Sequence, residues 1–515
     1  MNYEGINNES EGKHMSKTPE KKSKIATMAE GELHPHVLIF PLPLQGPVNA
    51  TFKLAELLSL SGISVTFLLT DHIHGRLNRH TNLQSRLRQY PGFRIKTISD
   101  GLPADHPREG NRYMELFDSL KAKTRPLFKE MLCAYEDSPP GPVTCIISDG
   151  ILDFTGDVAD EVGVPIFFIR TYSPTCLWIF FCLPKLVQSG ELPFHGDDDL
   201  DEAVKGVPGM ETFLRRRDLP EFCRSGDITD PKFKLYAAEG KGLLNSRSRG
   251  LILNTFEELD GSILAEIRNV CPNLYTVGPL HAALRTKLKS SETTPFPSSS
   301  SNSLWPEDRS CLAWLDKQPR KSVIYVSFGS IATLTKHQLM EFWHGLVNSE
   351  QRFLWVFRRE PLAVKDSPTE IPADLEESTK ERGFIVGWAP QEEVLAHPAM
   401  GGFVTHCGWN STIESVSEGV PMVSWPYFLD QQVNSRFVEA VYNVGLDMKD
   451  TCDRVIIEKM VRDLMVEKKD ELLQRAEEMA GMARRSLVEG GSSFCNFQRL
   501  VNDIKKSSSS RVHYP

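Results

Sequence analysis

The sequence is short of cysteine, has no long unbroken apolar run and carries no excess of basic charge. Ten cysteines are scattered over 515 residues without a CxxC pair or framework spacing. That excludes a disulfide scaffold and fits free thiols in a reducing compartment. Cys176 and Cys182 flank an apolar stretch and read as core residues. The most apolar segment, Val164 to Leu186, is broken by Arg170 and Pro174 and ends in Pro184-Lys185. It reads as a buried strand plus helix, not a membrane span. Residues 1–33 mix five lysines with six glutamates and lack an apolar centre. No signal peptide is read there, so the cytosol is the expected location. Lys+Arg number 59 and Asp+Glu 68, a net charge of −9, which speaks against a nucleic-acid partner. No Walker motif or zinc-ligand spacing occurs, and no metal site is expected. The dinucleotide fingerprint GxGxxG is absent at Gly46, where the run is Gln45-Gly-Pro-Val-Asn-Ala, and at Gly329. A nicotinamide-dependent dehydrogenase is therefore disfavoured.

What is present suits a large soluble protein of two to four domains, at roughly 100–200 residues per domain. Short apolar runs alternate with amphipathic stretches. Val37-Leu38-Ile39-Phe40 is followed by the helical pattern Phe52, Leu54, Ala55, Leu57, Leu58, and then by the β-rich run Ile63 to Leu69. The theme returns at Val143 to Asp149, Ile166 to Ile169 and Leu251 to Thr255. It starts again at Ser322 to Ser327, with further strands at Phe353, Phe384, Gly402 and Met422. Such alternation predicts βαβ units and parallel sheets. The expected class is α/β, two Rossmann-like, doubly wound domains facing across a cleft. The expected division is a disordered extension over 1–33, a first domain over 34–280 and a linker over 281–303. A second domain over 304–485 follows, then a helix over 486–508 that packs back on the first domain.

Ligands in doubly wound sheets sit beyond the carboxyl ends of the strands, so residues there matter most. In Gly401-Gly-Phe-Val-Thr-His-Cys-Gly-Trp-Asn-Ser-Thr-Ile-Glu414 a strand ends at Thr405, and a helix is expected from Ser411. A helix N-terminus offers free amide donors and the positive end of a dipole, which suits a phosphate or diphosphate. His406 can add a ring N–H, and Gly408 permits close backbone approach. The spacing of Ser411 and Glu414 equally fits a capping box. Trp388, held by Ala-Pro before Gln391, can stack on a flat heterocycle whose edge Gln391 reads, or can simply pack a loop. Asp430 and Gln431 suit sugar hydroxyls, or Asp430 caps the following helix. Together these loops fit a nucleotide sugar.

The 44-residue run from Trp388 to Gln431 resembles the signature box of plant secondary-product UDP-glycosyltransferases. The resemblance extends from about His36 to Leu500, with Tyr325 to Ser330, Asn254 to Leu259, Gly206 to Met210 and Gly490 to Ser493 as further matches. Within that family the chain is similar to the iridoid glucosyltransferase subgroup. The resemblance implies a GT-B fold and an inverting, metal-independent transferase. UDP-glucose is the implied co-substrate, and there is no bound cofactor. By position, Trp388 matches the uracil-stacking residue and Gln391 its neighbour in the uridine site. His406, Asn410 and Ser411 match the diphosphate contacts, with Ser330 nearby. Glu414 matches the ribose contact, and Trp409, Asp430 and Gln431 the sugar contacts. The partners implied are UDP-glucose and a small acceptor; a monomer is expected.

One position departs from the pattern. The family's general base is a histidine in a Gln-Gly-His setting after the first strand, and here the segment reads Gln45-Gly46-Pro47. The supporting acid has its match in Asp149. Proline is tolerated at the start of a helix, so the fold need not suffer, whereas general-base help is worth about 10²–10⁴-fold. Four consequences stay open. The acceptor is itself acidic, with Arg170 and the adjoining Thr171 holding it, or Arg170 forms a structural salt bridge instead. Asp149 acts directly or through water. Another histidine substitutes, among His36, His72, His74 and His281. Or the protein is a catalytically impaired binder of UDP-sugar or a hydrophobic metabolite.

Overall fold

A computed structural model describes residues 35–108, 112–135, 141–195, 199–239, 248–289, 302–330, 332, 334–358, 379–380 and 382–510. The extension expected over 1–33 lies outside them. Among the described residues two parallel sheets stand within one compact unit, Leu33–Pro515. The first contains β1 (His36–Phe40), β2 (Ser64–Thr70), β3 (Phe93–Ile98), β4 (Cys145–Asp149), β5 (Ile166–Arg170), β6 (Ser248–Leu253) and β7 (Leu274–Thr276), in the order β3-β2-β1-β4-β5-β6-β7. The second contains β8 (Val323–Ser327), β9 (Arg352–Val356), β10 (Gly383–Val386), β11 (Met400–Thr405), β12 (Met422–Ser424) and β13 (Gly445–Asp447), in the order β10-β9-β8-β11-β12-β13. The strand order reverses between β1 and β4 in one sheet and between β8 and β11 in the other. These switch points are where open α/β sheets receive ligands.

The central strands are apolar on both faces because helices cover both. Along β1, Val37 and Ile39 join one apolar cluster, and Leu38 and Phe40 the other, the period-2 alternation of a strand. Strand β1 leads into α1 (Gln45–Ser59), β7 into α2 (Leu280–Lys289), β10 into α3 (Gln391–Leu395), β11 into α4 (Trp409–Glu418) and β12 into α5 (Gln431–Ala440). The last helix, α6 (Ser492–Ser510), returns to the first sheet. Its Asn496 Nδ2 donates to Thr276 Oγ1 at 2.8 Å, and Tyr275 Oη donates to Asp503 Oδ2 at 2.8 Å.

Several boundaries differ from the sequence expectation. The segment read as a linker over 281–303 begins as helix α2, whose His281, Ala282 and Leu284 are buried. The serine run that suggested a linker falls at 298–301, outside the described residues. Helix α1 starts at Gln45 after Leu44, so Pro47 is its third residue rather than its first. That position still lies in the first turn, where backbone N–H groups have no helical acceptor, so proline costs no bond. Helix α4 begins at Trp409, two residues before the expected start. Strands β3, β7 and β13 were not read from the sequence.

Candidate functional site

The carboxyl ends of both sheets border one cavity of about 560 Å³. The second half of the chain lines it with Ser330, Trp388, Gln391, His406, Trp409, Asn410, Ser411, Glu414, Asp430 and Gln431. The first half contributes Pro47, Asp149 and Thr171. Of the residues singled out in the sequence, Arg170 and the histidines His36, His72 and His74 do not line it.

On the second wall, β11 ends at Thr405, and His406 follows at the switch point. Gly329 and Gly408 make room for its ring: a Cβ on either would lie 2.5 or 2.6 Å from His406 Nε2. Burial, with the Arg358 charge adding, lowers His406 to about 4, so the imidazole is neutral at pH 7. Gly408 is the extended residue before α4 and has no side chain to cap it. Ser411 is therefore the third helical residue, and the capping-box reading of Ser411 and Glu414 fails. Both instead meet Gln391, whose Nε2 donates to Ser411 Oγ at 3.0 Å and to Glu414 Oε2 at 2.8 Å. The first amide of α4, that of Trp409, donates to the Asp430 carboxyl. Burial, reinforced by Glu392 and opposed by Lys53, pushes the Glu414 carboxyl up to about 8.

Trp388 follows β10 and sits 5.9 Å from Trp305, tilted by 33°. Trp305 went unread in the sequence; it carries the guanidinium of Arg76 at 4.2 Å and that of Arg358 at 5.1 Å. The backbone carbonyl of Ser330 accepts from Arg358 Nη1 at 2.5 Å. Asp430 precedes α5 but does not cap it. Its Oδ2 accepts from Asn434 Nδ2 at 2.8 Å, and burial raises it to about 6. Gln431 Oε1 accepts from the backbone N–H groups of Tyr427 and Phe428 at 2.8 and 3.1 Å. What Gln431 offers a ligand is thus its amide N–H. Trp409 Nε1 donates across the cleft to the Asn254 carbonyl at 2.9 Å, and Asn254 Nδ2 donates to Asn410 Oδ1 at 3.4 Å. Asn254 belongs to a stretch matched in the sequence, but its bridging role needs the fold to be seen. Gly46 lets α1 approach: a Cβ there would lie 3.1 Å from Asn410 Nδ2.

On the first wall, Asp149 ends β4 and is 2% exposed. Its Oδ1 accepts from Ile151 N at 3.2 Å. Burial raises its carboxyl to about 6, against the pull of Arg170. Arg170 is fully buried and donates from Nε, at 2.8 Å, and from Nη2 to Glu239 Oε2. The expectation that it holds an acceptor anion is therefore corrected: its charge is already spent on Glu239. Thr171, the next residue, does face the cavity. Of the candidate substitute histidines, His36 uses both ring nitrogens, 3.0 Å from the Gly141 carbonyl and 2.9 Å from Thr66 Oγ1. His74 pairs with Asn78 on the exposed side, and His72 lies outside the cavity. His281 lines the cavity, but burial lowers it to about 3. Lys53 of α1 meets Glu392 of α3 at 2.6 Å, a further link between the halves. Among the described residues no group of His, Cys, Asp and Glu is arranged to hold a metal ion.

Residues 301–469 match the family described as UDP-glucoronosyl and UDP-glucosyl transferase. A 7-deoxyloganetic acid glucosyltransferase of Catharanthus roseus is 54% identical over 479 residues, 92% of this chain and 98% of the relative. The myricetin 3-O-rhamnoside 1,2-glucosyltransferase UGT709G2 of Crocosmia x crocosmiiflora is 44% identical over 485 residues, 93% and 98% of the two chains. Among solved structures, Os79 from O. sativa in complex with UDP aligns with a TM-score of 0.75 at 26% identity, covering 91% of this chain and all of that one.

Proposed function

Because the chain belongs to the UDP-glucosyl transferase family, we propose that it moves glucose from UDP-glucose to a hydroxyl or carboxyl of a small lipophilic metabolite of iridoid, terpenoid or phenolic type, with inversion at the anomeric carbon. The chain is a transferase of GT-B architecture with a UDP-sugar as co-substrate. The observation that carries the finer reading is the second wall of the cavity. Trp388 offers the uracil a stacking face, and Gln391 and Glu414 offer the ribose polar edges. The α4 amides, His406, Asn410, Ser411 and Ser330 surround the diphosphate position. Charge that develops there as UDP leaves meets donors already in place. Trp409, Asp430 and Gln431 stand where the sugar lies.

The acceptor occupies the first wall, where Thr171 and the apolar Leu42 and Ile151 line the cavity beside Asp149. The 54% identity to an iridoid acid glucosyltransferase supports a carboxylated iridoid as the first acceptor to try. One chain supplies both walls, which supports a monomer. All ten cysteines are free thiols, which supports the cytosol. No helix among the described residues is long and apolar enough to cross a membrane.

The test is UDP and glucoside formation from UDP-glucose, with UDP-galactose and UDP-glucuronate beside it, over a panel of iridoid, phenol and carboxylate acceptors. UDP-glucose is expected to give product fastest. Absence of UDP binding sinks the reading. Pro47 favours a second reading, a binder of UDP-sugar on a transferase scaffold, and turnover of any acceptor by the natural chain removes it.

A further inference from the structure

Proline at position 47 has no atom that accepts a proton, so a hydroxyl acceptor needs its base from elsewhere. Among the described residues lining the cavity, the first half of the chain supplies one carboxylate, Asp149, and one imidazole, His281. His281 is on α2, beside the Lys53–Glu392 pair and 3.9 Å from Glu418, at the end of the cavity built by α3 and α4. Asp149 ends the strand next to β1, on the same side of the cavity as Pro47 and Thr171. Behind it lies a buried ion pair that does no work in the donor site. The Arg170 guanidinium crosses Gly150, the residue after Asp149; a Cβ there would lie 1.1 Å from Arg170 Nη1. Arg170 is held in turn by Glu239 and by Tyr172 Oη, which accepts from Nε at 3.1 Å.

Resting on the glucosyltransferase reading, we propose that Asp149 is itself the general base of this enzyme, kept as an oriented carboxylate by the buried Arg170–Glu239 pair. The acceptor O–H proton passes to an Asp149 carboxylate oxygen. The acceptor oxygen forms its bond to the anomeric carbon as the bond from that carbon to the diphosphate breaks, its electron pair leaving with UDP. The proton departs to solvent with the product. Arg170 and Glu239 are positioning residues in this scheme. The charged groups acting on Asp149 are Arg170 and Glu239, and its carboxyl accepts from the backbone N–H groups of Ile151 and of Leu42 in the loop after β1.

The experiment compares wild type, Asp149→Asn and Asp149→Glu on a phenol or alcohol acceptor and on a carboxylate acceptor, with UDP-glucose binding measured alongside. Asp149→Asn is expected to lose at least about 100-fold in kcat with the hydroxyl acceptor while its Kd for UDP-glucose stays within about threefold. Transfer to the carboxylate, ionised at pH 7 without help, is expected to fall by less than about tenfold. Asp149→Glu is expected to recover part of the hydroxyl rate. Asp149→Asn within about threefold of wild type on the hydroxyl acceptor overturns the proposal alone. Wild-type transfer confined to carboxylates also overturns it. No wild-type transfer to any acceptor overturns the glucosyltransferase reading and this proposal with it. If Asp149→Asn fails to bind UDP-glucose at all, the wild-type pH profile decides. kcat/KM for the hydroxyl acceptor is then expected to fall below about 6, where burial sets the Asp149 carboxyl. A flat profile through that range overturns the proposal.

Discussion

At position 414 burial and the nearby Glu392 carboxyl disfavour ionisation, and Lys53 and the hydrogen bond from Gln391 oppose them only in part. The folded protein therefore holds Glu414 protonated up to about 8, while the unfolded chain ionises it near 4.5. Between those values unfolding releases a proton, so stability is greatest at the acidic end and declines as pH rises. Asp149 and Asp430, both raised to about 6, act in the same direction over the lower part of the window. Glu414→Gln keeps the shape and cannot ionise. Its thermal midpoint, followed from pH 5 to 8 without ligand, should decline less than that of wild type; equal slopes would show that Glu414 does not titrate there. The side chains of the signature run were legible in sequence because they follow strand ends within one continuous stretch. The Gln391 bracket was not, since Ser411 and Glu414 lie 20 and 23 residues away and their spacing mimics a capping box. Arg170 misled for the same kind of reason: its partner, Glu239, lies 69 residues further along the chain.

Helices and strands repeat this pattern of local legibility. The long apolar runs of β1, β4, β5 and β8 and the amphipathic α1 were readable because burial imposes their period. Strands β7 and β13 have three residues each, and β3 reads Phe-Arg-Ile-Lys-Thr-Ile, so none carries a continuous apolar run. Helix α2 was hidden by the serine-rich stretch that follows it. Helix α6 matters most to the account, because it covers the first sheet from the far end of the chain. Leu500, Val501 and Ile504 are buried in the cluster that contains Val37 and Ile39. Ile504→Ala leaves a cavity there and is expected to cost about 2–5 kcal/mol. Denaturant unfolding measures it, and a change below about 0.5 kcal/mol, the range of surface substitutions, would mean that α6 is not docked as described.

The whole molecule joins two sheets of like strand order, with their switch points turned to one cavity. Trp409 and Asn410 meet Asn254, Glu392 meets Lys53, and Lys449 meets Asp218 at 2.9 Å, so the halves are tied by polar contacts. The residues proposed to bind the donor all belong to the second half, and position 47 is not among them. Loss of the usual histidine therefore leaves UDP-glucose binding intact in this account and bears on proton transfer alone. The central claim is that the natural chain, with Pro47 in place, is a working glucosyltransferase. The most direct test measures UDP release and glucoside formation by wild type and Pro47→His side by side, with an iridoid acid as acceptor. The account predicts glucoside from wild type. Product from Pro47→His alone, with UDP-glucose bound equally by both proteins, would contradict it.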